Sequence, residues 1–141
     1  MGANAMTNQQ RDLYVTECKR KFHEFMSDHK YLMRHVRKYK TIKINDHTFH
    51  IPEKIIGTVV VFYDDGLRVG FSKVHEGDRY NRHVGIVKAI NDAYGETSRN
   101  IPRTLQRVIT DMVHFAESDK GRHILDPEFG NVDHNEHGGE G

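Results

Sequence analysis

The residues best placed to do chemistry lie between 70 and 95, in the stretch GFSKVHEGDRYNRHVGIVKAINDAYG. It reads as a strand, a break at Gly77 and Asp78, and a helix whose start gathers Arg79, Asn81, Arg82 and His83. The first turn of a helix has backbone N–H groups without intrahelical acceptors and carries the positive end of the dipole, so it attracts anions. Arg79 and Arg82 add charged donors suited to a phosphate. Phe71 and Tyr80 flank the break and offer faces on which a base can stack, and Asn81 can read a ribose or base edge. The chemistry implied is capture of a nucleotide-like anion. The same residues also fit a purely structural reading, in which Asp78 caps the helix, the arginines are solvated and Tyr80 packs in the core.

Two other basic groups offer a similar choice. Arg99, Arg103 and Arg107 are four apart and share one helical face opposite an apolar stripe; such a ladder grips phosphates, or a partner's carboxylates, or simply faces solvent. The run RHVRKYK at 34–40 mixes cations with Tyr39, as a nucleic-acid groove does, and also suits a helix end where cations complement the dipole. The histidines do not make a metal centre. His47 and His50 face opposite sides of a predicted strand, His134 and His137 lie in a terminal tail, and His23, His29 and His35 are six apart. No cofactor is expected. Cys18 falls on an apolar helix face, and no GxSxG, P-loop or dinucleotide fingerprint occurs, so the chain reads as a binding protein rather than an enzyme.

The elements that must position these groups follow from periodicity. Thr7 caps a helix whose apolar members Val15, Cys18, Phe22, Phe25, His29, Leu32 and Val36 recur at spacings of three and four. TIKIN, an Asn45-Asp46 turn and HTFHI predict a short hairpin stopped by Pro52. TVVVFY, a turn at Asp64-Asp65-Gly66 and LRVGFSKV predict the central hairpin. A helix then ends near Gly95, and Asn100 and Pro102 start a last one with Leu105, Val108, Ile109, Met112 and Phe115 inward. The fold class is therefore α+β, a mainly antiparallel sheet of two hairpins flanked by a long N-terminal helix and two C-terminal helices.

With 141 residues, 36 % hydrophobic and 29 % charged, the chain suits one domain over residues 1–125, followed by a flexible acidic tail at 126–141 that contains no lysine or arginine. One cysteine and the lack of any long apolar run predict a cytosolic protein with no membrane partner. The net charge of +1 hides a basic body and an acidic end. The long apolar face of the first helix predicts a homo-oligomer.

The run VGFSKVHEGDRYNRHVGIVKAINDA at 69–93 resembles a segment of phage proteins of the Thoeris anti-defence family. There a strand leads to an aspartate, an aromatic, an asparagine or serine, a basic residue, a glycine and a helix with alanine. Here those positions are Asp78, Tyr80, Asn81, Arg82, Gly85 and Ala89; Ile86 and Asp92 stand where the family pattern has basic residues. The resemblance implies a non-enzymatic sponge in the host cytoplasm that sequesters cyclic ADP-ribose isomers, and in some members cyclic oligonucleotides, between protomers of a symmetric oligomer. The alternative is a nucleic-acid-binding phage modulator of host transcription or DNA that uses RHVRKYK and the arginine ladder.

Overall fold

The computed structural model describes residues 7–75, 77–95 and 100–129. Its elements are α1 (Asn8–Asp28), β1 (Tyr31–Ile44), β2 (His47–Tyr63), β3 (Leu67–Lys73), α2 (Arg82–Ala93), α3 (Arg103–Glu117) and α4 (Asp119–Leu125). The strands pair antiparallel in the order β1-β2-β3, and the fold is α+β.

Residues 58–62, TVVVF, are fully buried because both faces of β2 are covered. Val60 and Phe62 point to one side, where Cys18, Phe22 and Phe25 of α1 meet Ile86, Ala89 and Ile90 of α2. Val59 and Val61 point to the other, against Leu105, Ile109, Met112 and Ala116 of α3 and Leu125 of α4. A strand buried on both faces reads as a continuous apolar run rather than an alternating one. Burying Phe62 alone contributes about 1.5–3 kcal/mol.

Two boundaries differ from the sequence expectation. The first helix stops at Asp28, where His29 turns extended and donates its N–H to the Phe25 carbonyl. Leu32 and Val36 therefore belong to β1, and RHVRKYK is strand, not a helix end beside a dipole. Residues four apart share a face in a helix and also in a strand, so the apolar stripe runs on without a break in phase. The stripe on α1 is also largely used up inside the molecule, since Cys18, Phe22 and Phe25 are buried by α2 and the sheet.

Nor does Pro52 stop a hairpin. It lies within β2, opposite Tyr39, beyond the last β2–β3 pair at Gly57 and Lys73. There β2 has a single neighbour, and a residue without an N–H is tolerated at an edge. The two predicted hairpins thus share one 17-residue strand. Past the register shifts at Val36, Arg37 and Tyr39, residues 37–44 and 47–54 leave the body as an exposed two-stranded arm about 25 Å long. Its tip is the expected turn: Asn45 and Asp46 take φ of 51° and 67°, the left-handed values that match strand twist.

At the other end the ordered chain runs into the segment expected as tail. Asp126 is buried, and Phe129 packs under the Arg122 guanidinium and against His123. Residues 130–141 lie outside the described residues. Among the described residues no helix is long and apolar enough to cross a membrane.

Candidate phosphate-binding groove

Three helices start at the same end of the sheet. Near the start of α1, the Arg11 guanidinium reaches the Arg79 carbonyl at 3.4 Å, while Phe25 near its other end packs on Phe62. In α2, Gly85 accepts a hydrogen bond from Ser72 Oγ at 2.7 Å, and Ala93 lies against Gly70. In α3, Leu105 approaches Gly57, and the Ala116 carbonyl accepts from the Tyr63 hydroxyl at 2.7 Å. All three positive dipole ends therefore face the root of the arm.

At that root lies an open groove of about 560 Å³. Lys38 of β1, Lys54 of β2 and Lys73 of β3 line it, together with His75, Tyr80, Thr104 and one carboxylate, Asp78, which also borders the adjoining recess. One lysine comes from each strand. A smaller recess of about 60 Å³ adjoins it, lined by Arg79, Asn81, Lys88 and again Lys73, His75 and Tyr80.

The residues expected to form the site are distributed unevenly around it. Arg79 and Tyr80 lie at the recess, in the loop before α2. The Tyr80 hydroxyl bonds His35 Nδ1 at 2.8 Å, its ring meets the imidazole edge-on, and Thr58 Oγ1 lies 3.0 Å from the same nitrogen. Asn81, not Asp78, caps α2: its side-chain oxygen accepts from the His83 and Val84 N–H groups at 3.0 and 3.1 Å. Arg82 is the exposed first residue of α2. Phe71 is on the opposite face of the sheet, packed with the α3 cluster, and donates its N–H to the Asp92 carboxylate at 2.9 Å. Arg103 and Arg107 are exposed on α3. Arg99 lies outside the described residues. The structure thus brings Arg79, Tyr80 and Asn81 together and holds Phe71 apart from them.

Electrostatics at the junction favour neutral imidazoles. Burial, then the Arg82 and Arg37 cations, lower the His35 pKa, and burial with Lys19, Arg82 and His23 does the same for His83. Burial raises the Tyr80 phenol. His35 Nε2 is buried without a hydrogen-bond partner among the described residues. A proton on Nδ1 leaves only a bare lone pair at Nε2, which costs less than a stranded N–H. Gly85 makes room for this cluster, since a Cβ there would stand 3.1 Å from Thr58 Oγ1.

Lys38 belongs to the RHVRKYK run singled out from sequence, whereas Lys54, Lys73 and His75 were not among the residues singled out. Their signal is the β2 register: the Gly57–Lys73 pair closes the three-stranded part of the sheet, and Lys54 and Lys38 sit just beyond it. Among the described residues no group of three or more histidine, cysteine or carboxylate side chains is placed to hold a metal ion. Compared with protein-family models, with curated proteins and with solved structures, the chain finds no match in any of the three.

Proposed function

We propose that the protein binds a phosphate-bearing nucleotide in the groove at the root of the arm and holds it unchanged. The observation that carries this reading is the convergence of Lys38, Lys54 and Lys73 on one cavity of about 560 Å³, at the end of the sheet where three helices begin. Lysine binds phosphate as a point charge, and aligned helix starts add a favourable potential for anions. The volume falls within the range of about 300–1,000 Å³ usual for small-ligand sites. Ile55, Ile56, Leu105 and Tyr80 supply an apolar wall for a base. In the form that the Thoeris anti-defence resemblance implies, the ligand is a cyclic ADP-ribose isomer or a cyclic oligonucleotide, and the protein acts as a sponge.

The test is to incubate the purified chain with a panel of cyclic nucleotides, remove free ligand, denature the protein and identify what is released by mass spectrometry. Intact ligand is expected, with affinity reduced about tenfold or more in the Lys54→Ala/Lys73→Ala double variant and less in Arg82→Ala, which lies beside the groove. An altered product makes the protein an enzyme, and no capture by the folded chain ends the proposal. A duplex nucleic acid as the true ligand shows itself as a steep fall of log affinity with log salt.

A further inference from the structure

The arm has two unlike faces. The pairs Lys40–Ile51, Ile42–Phe49 and Ile44–His47 put Ile42, Ile44, Phe49 and Ile51 on one side, bordered there by Lys40 and His47, while Tyr39, Thr41, Lys43, Thr48 and His50 share the other. Ile44, Phe49 and Ile51 are 54 %, 48 % and 44 % exposed. A two-stranded ribbon is marginal in water by itself, and an apolar face of this kind marks a surface that another body covers. The arm also carries Arg37, Lys38, Lys40, Lys43 and Lys54 against only Asp46 and Glu53. Two arms laid face to face would repel.

The opposite end of the molecule has the complementary character. Two adjoining cavities, each about 340 Å³, open beside the last turn of α1, the β2–β3 turn and the end of α4. Met26, Tyr63, Ile124, Leu125 and Pro127 give them apolar walls. Asp28, Asp64, Asp65, Asp126 and Glu128 surround them with carboxylates, against Lys30 and an Arg122 already directed at Asp126. The helix ends here are carboxyl ends, whose dipoles repel anions and attract cations.

We propose that the arm of one copy docks, apolar face inward, in the acidic end of a second copy, so that chains associate head to tail. Apolar walls receive Ile44, Phe49 and Ile51, and the carboxylate rim receives Lys40, which shares their face. A nucleic acid satisfies the lysines but leaves the four apolar side chains uncovered, so a protein surface is the better fit. The contact is heterologous: it uses two different patches and continues until a ring closes or ends remain free.

Sedimentation velocity on the full chain, from micromolar to near-millimolar concentration, reads this directly. The expected result is mass growing through dimer and larger species at low salt and falling back at high salt, where screening shortens the reach of charge from about 10 Å to about 3 Å. Ile44→Glu/Ile51→Glu on the arm and Asp28→Lys/Glu128→Lys at the acidic end each yield monomers that retain wild-type circular dichroism. Mixed together, they form two-chain complexes and nothing larger, because one sound arm and one sound acidic end remain. A wild-type chain that stays monomeric throughout overturns the proposal. So does assembly that the arm variant abolishes while the acidic-end variant leaves it intact. A monomeric wild type whose arm variant loses a fluorescein-labelled duplex assigns the arm to nucleic acid instead.

Discussion

Gly70 is where β3 and α2 come closest, and one added methyl group measures how tightly they are held. A Cβ there would stand 1.9 Å from the Ala89 carbonyl oxygen, 2.6 Å from the Ala93 nitrogen and 2.8 Å from the Ala93 Cβ. Two of these are backbone atoms, so no rotamer relieves the overlap. Carbon and oxygen approach each other no closer than about 3.3 Å without cost, so α2 must retreat by more than about 1 Å. A gap of about 0.5–1 Å forfeits a quarter to a half of each dispersion contact, and Ile86, Val87, Ile90 and Ala93 all lie on the retreating face. Overpacking costs about 1–3 kcal/mol, and a clash with main chain on two sides puts Gly70→Ala at the top of that range. With a urea dependence of about 1.5 kcal/mol per molar, the unfolding midpoint falls by about 2 M. Gly85→Ala is the control. The one tight contact of its Cβ is the Thr58 hydroxyl at 3.1 Å, with Tyr80 and Ser72 at an ordinary 3.6 and 3.7 Å, and alanine is favoured over glycine in a helix by about 1 kcal/mol, so the two effects nearly cancel. Equal midpoints for the two variants would refute the close approach of α2 to β3, and with it the placement of the loop that leads to the groove.

The cap of α2 gives a second check: Asn81→Ala strands two N–H groups and is expected to cost about 1 kcal/mol by chemical denaturation, whereas Asp78→Ala costs less than half of that. Acid should weaken the fold. His35 and His83 have folded pKa values below their ordinary ones, so the unfolded chain takes up protons first, and stability present above about pH 6.5 declines as the pH falls toward the folded values. Thermal melts over about pH 8 to 5.5 should show Tm dropping on the acid side, with a shallower drop in His35→Gln; a Tm that rises on acidification contradicts the assignment.

Much of the fold was legible in local chemistry. Thr7 caps α1 with Gln10 completing the box, Asn45 and Asp46 turn the arm, and Asp64 to Gly66 turns the second hairpin, each because a side chain or a left-handed backbone is required at that place. The end of α1 was not, because Leu32 and Val36 keep phase in either kind of element. Phe71 lies on the far face from Tyr80 and Asn81 for a related reason. Alternation along β3 puts Gly70 and Ser72 toward α2 and Val69 and Phe71 toward α3, so the glycine, not the aromatic, marks the side of the junction. The choice of Asn81 over Asp78 as cap depends on where Gly85 meets Ser72 and Thr58, a tertiary fact. The lysines of the groove come from three strands and 36 residues of sequence, from Lys38 to Lys73 inclusive, and only the pairing register brings them to one place.

The continuity of β2 has a mechanical consequence. The exposed tip and the most densely enclosed part of the molecule are the same strand, without a loop or hinge peptide between them. Load applied at the Asn45–Asp46 turn passes along two covalent chains in parallel and arrives at Val59 to Phe62 and the paired residues Tyr31 to Arg34, where the two flanking strands and four helices enclose β2. An appendage mounted in this way carries tension straight into the core, while the irregular pairing at Val36 to Tyr39 is where the ribbon can bend.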